Sequence, residues 1–481
     1  MNGARVVVIG GGLAGITAAL ECADRGATVT LLEARGRLGG AAYSFTRHGI
    51  HADNGQHVFL RCCTGYRELL DRIGAAECVT MQSQLEIAVL SPGGRGAWLR
   101  RSSLPAPFHL VGAIARYPLL SPRQRLSVAR AIFKLSRLDP DAADVDQRSF
   151  GDWLREQRQD VQAREAVWSL IERPTLNLKP EDASLAQVAQ VFQTGLLQDA
   201  AAGDIGHARV PLSKIHDDAS RRALASAGVT VLLRHAAAAI EPAGNGYRVA
   251  MSASGAFEAD AVVLAVPPER AVGLVPSSAG LDPEVGARLG RSPIVNLHIV
   301  YDRPVLDVPF VAVVGSPVQW VFDRTRSGGL EAGQYLVVSL SAADDECNAT
   351  VQELQARFLP AMAAVLPAAR AATVSTFFVT REHSATFRAG PGTRAWRPET
   401  RTRLPGLVLA GAWTDTGWPA TMEGAVRSGH AAAREAMQIA RRPAAGLSAH
   451  GQRAEGDAEG TPEALRAVPA AAGTRLSEGG P

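Results

Sequence analysis

Lysine is nearly missing from this chain. Only Lys134, Lys179 and Lys214 contribute to its 50 basic residues, so the positive charge is almost all arginine. That bias reads as genome composition rather than as phosphate binding. With 47 acidic residues the net charge is +3, too balanced for a nucleic-acid-binding footprint. Cysteines number five, an odd count without CxxC spacing, which excludes a disulfide framework and a zinc site. No metal is expected. The adjacent Cys62 and Cys63 read as ordinary buried thiols, with a redox pair as the alternative. Long apolar runs are also absent. One charge-free run, Leu104 to Ala115, is well short of the ~18 residues a spanning helix needs. No charged n-region or cleavage pattern precedes the first apolar run, so no secretory signal is read. A cytoplasmic location follows as the expectation.

What is present is a globular balance, 46% hydrophobic and 20% charged. At roughly 150 residues per domain, the 481 residues amount to about three domains' worth of chain. The composition shifts past Arg442. Of residues 441–481, 21 of 41 are Ala, Gly or Pro and none is aromatic. Such a stretch buries too little apolar surface to offset its ordering entropy, and it reads as a disordered tail.

The 47 glycines are the most informative total, because several cluster at the chain start and again near residue 411. Residues 4–9 are β-branched and apolar on both faces, as a buried parallel strand is. Gly10-x-Gly12-x-x-Gly15 follows and opens a helix that ends near Gly26. A second strand then runs to Glu33, closing a βαβ unit. This is the context in which the glycine triplet signifies a dinucleotide site. Gly10 permits the tight turn, Gly12 lets a pyrophosphate approach the backbone, and Gly15 allows close helix packing. The helix start at Leu13 and Ala14 offers free amides to the phosphates. Glu33 is placed to accept from a ribose diol, which disfavours NADP. A second glycine-rich turn with arginines, Ala34-Arg35-Gly36-Arg37-Leu38-Gly39-Gly40, is not needed for NAD and suits the longer FAD. Further strand-like runs at 261–266 and 407–410 suggest one sheet assembled from distant segments. Residues 104–200 are mostly helical in pattern, and 291–345 alternate like antiparallel strands.

Glu33-Ala34-Arg35 with Arg37-Leu38-Gly39-Gly40 resembles the flavin amine oxidase and carotenoid desaturase superfamily. Leu409-Ala410-Gly411 and the stretch from Thr421-Met422-Glu423-Gly424 to Gly429 resemble its second FAD-contacting motif. Residues 229–231 resemble the strand whose backbone, at Val231, contacts the adenine side. Asp53-Asn54-Gly55-Gln56-His57 through Leu60, the run from Cys62 to Tyr66, Asp204-Ile205-Gly206 with 210–213, and 413–424 are similar to the squalene-associated branch, the hydroxysqualene dehydroxylases. Ala412 departs from the superfamily pattern, which has an acid there. Either Asp415 or a backbone group substitutes for it, or flavin affinity is reduced.

The resemblance implies an α/β fold: a Rossmann-like FAD-binding domain of the flavin amine oxidase type, interleaved with an α+β substrate domain. The implied FAD-binding segments are 1–65, 205–290 and 395–440, and the substrate segments are 66–204 and 291–394. FAD-contacting residues would be Gly10, Gly12, Leu13, Ala14, Gly15, Glu33, Ala34, Arg35, Arg37, Gly39, Gly40, Gly55, Gln56, His57, Val231, Gly411, Thr421, Met422 and Glu423. The implied activity is reduction of hydroxysqualene to squalene in hopanoid or related triterpenoid biosynthesis. Alternatives are a carotenoid or phytoene-type desaturase or an amine oxidase, and a non-catalytic prenyl-binding protein of the same fold.

Such chemistry needs an apolar pocket and a proton for the leaving hydroxyl. Asp53, His57 and Asp415 are the candidate donors, with structural hydrogen bonding the alternative for each. His57 leads because an ordinary imidazole titrates near 6.5. Trp413, Trp418 and Phe59 are candidates to line the substrate channel, or are packing aromatics. Residues 104–133 mix apolar residues with arginines. They read either as a segment in peripheral contact with the inner face of the membrane or as a packed surface helix. No residue pattern identifies the electron donor.

Overall fold

The computed structural model describes residues 3–440. The tail expected to be disordered, 441–481, lies outside the described residues. The opening strand Arg5–Ile9 sits in the middle of a five-stranded parallel sheet. Thr28–Glu33 and then Thr230–Leu233 flank it on one side, and Ala261–Leu264 and then Leu407–Leu409 on the other. Sequence positions more than 370 apart thus meet in one sheet, with Val8 in register with Val263 and Val263 with Val408.

Both faces of this sheet are covered, which is why its strands read as continuous apolar runs rather than alternating ones. On one face Val6 and Val8 pack with the helices Leu13–Asp24 and Met422–Ala440. On the other, Val7 and Ile9 share a core with Ile240, Tyr247 and Val249 of a three-stranded antiparallel sheet (Ala237–Ala243, Gly246–Met251, Ala256–Ala259).

The second large layer is a seven-stranded sheet in the order Val374–Thr386, Ser292–Tyr301, Gln334–Ser341, Trp320–Asp323, Phe310–Val313, Glu86–Ser91, Arg95–Arg100. All its pairings are antiparallel except Phe310–Val313 with Glu86–Ser91. The alternation read over 291–345 therefore forms strands as expected. The strands at 86–100 join the same sheet from a distant part of the chain. Leu354, Phe358, Met362 and Val365 of the helix Val351–Val365 bury one face against Val295, Leu297 and Val338. Residues 104–200 are helical for the most part, including Pro122–Leu135, Ser169–Leu176 and Leu185–Phe192. Trp153, Trp168, Phe150 and Phe192 fill the space between them in edge and tilted ring contacts.

Candidate functional site: a dinucleotide cradle and a polar hub

The cradle is built by close backbone approach. Gly10 has φ +108°, and a Cβ there would lie 2.2 Å from the Ala265 carbonyl oxygen. A Cβ on Gly15 would lie 1.9 Å from the Gly10 oxygen, so only glycine lets this helix start so near the strand. Gly12 differs: a Cβ there would meet only the Gly40 Cα, at 3.7 Å. It caps the helix Leu13–Asp24 with extended backbone and no side-chain cap, leaving the first-turn amides of Leu13, Ala14 and Gly15 for an anion.

Glu33 closes the cradle. It is buried, and its two carboxylate oxygens accept from the amides of Gly11 (2.6 Å) and Arg35 (2.7 Å). Those bonds orient the carboxylate and leave lone pairs for a diol. Val231 lies alongside, in register with Leu31 one strand over. The second glycine turn is tied to the first by the Gly39 amide donating to the Gly11 carbonyl at 2.9 Å. Arg37 donates to the Gly40 carbonyl at 3.0 Å, with its guanidinium 3.6 Å over the Tyr43 ring. Ala34 and Arg35 are exposed at the rim.

Beyond Gly40 the chain turns into the hairpin Ser44–Arg47 and Ile50–Asp53 and reaches a hub at Asn54. The Asn54 side chain accepts from the Tyr43 amide (3.0 Å) and donates to Ala41 O (2.8 Å) and Glu382 Oε1 (3.1 Å). Its carbonyl accepts from Asn296 Nδ2 at 3.0 Å. Around this hub, beside Gly55, three buried polar atoms have no partner: Gln56 Nε2, His57 Nε2 and Asn296 Oδ1. Unpaired buried polar atoms are costly, and three around one loop mark where a ligand completes the structure. Together with the free helix amides, the Glu33 carboxylate and the open face at Gly12, they fit FAD.

Several expected roles change on inspection. The Asp53 carboxylate is engaged on both oxygens. One of its oxygens accepts from Ser44 Oγ (2.6 Å) and the Leu212 amide (3.0 Å), and the other is paired with Arg324. His57 is held down to about 4 by burial, and secondarily by the Arg324 charge, so at neutral pH it is a neutral imidazole rather than an acid. Asp415 is exposed on its loop, in a surface cleft with Arg394, Arg397 and Gln187. The Glu423 carboxylate is fully buried and accepts from the amides of Gly65 (3.1 Å) and Tyr66 (2.7 Å), capping the helix Thr64–Arg72. It also pairs with Arg427 at 2.6 Å, so both carboxylate oxygens are engaged.

Thr421 Oγ1 accepts from the Gly424 amide at 3.1 Å at the start of the long helix Met422–Ala440, and the Gly411 amide donates to Ser428 Oγ of the same helix at 2.8 Å. Trp413 is a packing residue whose Nε1 donates to Val266 O (3.0 Å), and Phe59 packs edge-on to Tyr66 at 5.0 Å. Trp418 is half-buried beneath the Arg427 guanidinium. Cys62 and Cys63 are free thiols.

The reading of the chain by itself missed Tyr43, Asn296, Arg324 and Glu382. A signal for Asn296 is there: with His298 it is a polar residue in the otherwise apolar run Ile294–Val300, and both are fully buried. His298 is satisfied by Tyr335 OH (2.6 Å) and Thr380 Oγ1 (3.0 Å) and stacks on Phe378. A third buried imidazole, His216, uses Nδ1 toward Ala42 O (3.2 Å) and Nε2 toward Tyr66 OH (2.8 Å). The carbonyl only accepts, so Nδ1 carries the proton and Nε2 receives the phenol's.

A glycine-lined cradle opening a βαβ unit, followed by a second glycine turn and a polar hub with unmet hydrogen bonds, defines the class of flavin-dependent oxidoreductases. The family model described as flavin containing amine oxidoreductase matches residues 13–437. The chain belongs to that family and is an FAD-dependent oxidoreductase.

Among its relatives, the hydroxysqualene dehydroxylase of Rhodopseudomonas palustris is 29% identical over 441 residues, covering 89% of this chain and 97% of that one. The zeta-carotene desaturase of Synechocystis is 23% identical, covering 89% and 96%. Among solved structures, the cyclohexylamine oxidase from Brevibacterium oxydans superposes with a TM-score of 0.68 at 20% identity, covering 91% of this chain and 99% of that one, a likeness of fold.

Proposed function

We propose that the protein reduces hydroxysqualene to squalene. The end-to-end similarity to hydroxysqualene dehydroxylases carries this reading. The reaction breaks the allylic C–O bond, forms a C–H bond at the same carbon, and releases the hydroxyl with one added proton as water. Bound FAD in its reduced form supplies the hydride.

The chain's own residues bind, orient and protonate. The amides of Leu13, Ala14 and Gly15 and the Glu33 carboxylate hold the dinucleotide, and Gly55, Gln56, His57 and Asn296 border its reactive end. Neutral His57 orients the leaving oxygen by hydrogen bonding. The proton comes from a group that is protonated at neutral pH. Tyr43 has that property, its phenol raised by burial and by Glu382. It lines an open cleft with Phe45, Asn54, Thr380, Arg381 and Glu382. In this reading, segments 1–65, 205–290 and 395–440 serve the cofactor, and 66–204 and 291–394 serve the substrate. An isoprenoid this insoluble also places the enzyme peripherally at the cytoplasmic face of a membrane.

The desaturase reading has its own support in the full-length zeta-carotene desaturase relatives. Anaerobic incubation of the reduced holoprotein with hydroxysqualene separates the two. Squalene, formed in step with flavin oxidation, is the expected product. Unchanged hydroxysqualene there, together with flavin reduction when the oxidised holoprotein is given a carotenoid precursor, overturns the proposal. His57→Ala and Tyr43→Phe are expected to retain FAD and lose turnover.

A further inference from the structure

We propose that residues 104–137 form a docking surface for an anionic lipid bilayer. The inference rests on the reading that the substrate is an isoprenoid taken from lipid. Leu104 (52% exposed), Phe108 (59%), Val111 (56%), Leu126 (54%) and Phe133 (56%) bring five large apolar side chains to solvent within thirty residues of chain. The helix Pro122–Leu135 is amphipathic in an unusual sense. It buries Val128, Ala131 and Leu135, while Arg123, Leu126, Arg130 and Phe133 recur at helical spacing on the exposed side, with Arg137 just beyond its end.

The surface is well supported. A capping box at Ser121 and Gln124 starts the helix. Arg125 donates to the carbonyls of Ala115 (2.7 Å), Tyr117 (3.1 Å) and Leu120 (2.9 Å), pinning the preceding turn of Val111–Ala115 beside it.

Charge identifies the occupant. Between Glu86 and Asp139 the sequence has nine basic residues and no acidic one. Arg116, Arg123, Arg130 and Arg137 are exposed and form no ion pair with a described carboxylate. Arg137 instead lies 4.2 Å over the Phe133 ring. Apolar side chains interleaved with unpaired cations match acyl chains under anionic headgroups. The chain's own segment 441–481 offers no complementary charge, holding five acidic and five basic residues.

The test is flotation of the holoprotein with vesicles of phosphatidylcholine alone and of phosphatidylcholine with phosphatidylglycerol, alongside turnover of detergent-solubilised hydroxysqualene. Binding to the anionic vesicles, weakened by salt, is expected. At about fivefold per cation near the surface, Arg123→Gln/Arg130→Gln/Arg137→Gln lowers binding about a hundredfold. Phe108→Ser/Phe133→Ser abolishes it, and both variants keep wild-type turnover in detergent and wild-type melting. Equal affinity for both vesicle types, no binding to either, self-association that accounts for the flotation, or unaffected variants would each overturn the proposal. Failure of detergent turnover in the wild type overturns the substrate reading and leaves the vesicle result standing by itself.

Discussion

Glu172 offers a sharp test of the interior. It lies in the helix Ser169–Leu176 with no exposed surface, and neither carboxylate oxygen has a partner. Burial pushes its carboxyl well above the ordinary range, Glu181 and Asp182 add to the rise, and Arg173 only partly opposes it. The folded protein therefore holds this proton to higher pH than the unfolded chain, which releases it above the ordinary value of 4.5. Stability from the protonated form is complete below that value and is lost as pH rises toward the folded one. The loss is about 1.4 kcal/mol per pH unit.

Glu172→Gln keeps the shape and removes the titration. Any fixed cost of the new amide is the same at every pH, and the buried histidines contribute equally to both proteins. As pH rises above 5 the variant should therefore gain on the wild type at that slope until the folded carboxyl titrates. Urea denaturation of both holoproteins at pH 5, 6 and 7 reads this gain as a widening gap. Parallel pH dependences would refute the reasoning, because they mean the acid is not held neutral.

Three further outcomes are expected. Gly15→Ala places a methyl 1.9 Å from the Gly10 oxygen and should cost about 1–3 kcal/mol and strip the flavin, read from visible absorbance after gel filtration. Arg397 donates to Ala412 O (3.1 Å), Thr414 O (2.5 Å) and Thr416 Oγ1 (3.3 Å), so it holds the loop after Gly411. Arg397→Met should weaken FAD binding at least tenfold, since leaving a buried acceptor unpaired costs ~1–3 kcal/mol, and unchanged FAD titration would count against that role. Burial lowers His216 to about 4 and His298 to about 3. Each thus withdraws about 1.4 kcal/mol of stability per pH unit as pH falls from ~6.5 toward those values, and imidazole NMR signals should remain neutral at pH 5.

The dinucleotide cradle was legible because it is local. Strand, glycines, helix, strand and Glu33 lie within 33 residues, and each step follows from backbone sterics or apolar patterning. The hub was not, because its partners are remote. Asn54 meets Asn296 across 242 residues and Glu382 across 328, and Asp53 meets Arg324 across 271. The surroundings of the candidate side chains were out of reach for the same reason. Burial lowers His57, Arg324 pairs with Asp53, and the amides of Gly65 and Tyr66 bind the Glu423 carboxylate.

The sequence by itself determined that this chain builds a parallel sheet around a dinucleotide, because glycine spacing and apolar runs act through the nearest turns of backbone. It also determined the resemblance from which the flavin follows. Only the tertiary structure decided which side chains are left to do chemistry. Protonation and hydrogen-bonding capacity depend on solvent exclusion and on whichever charged groups the fold brings alongside, and neither is a property of a residue's neighbours in the chain.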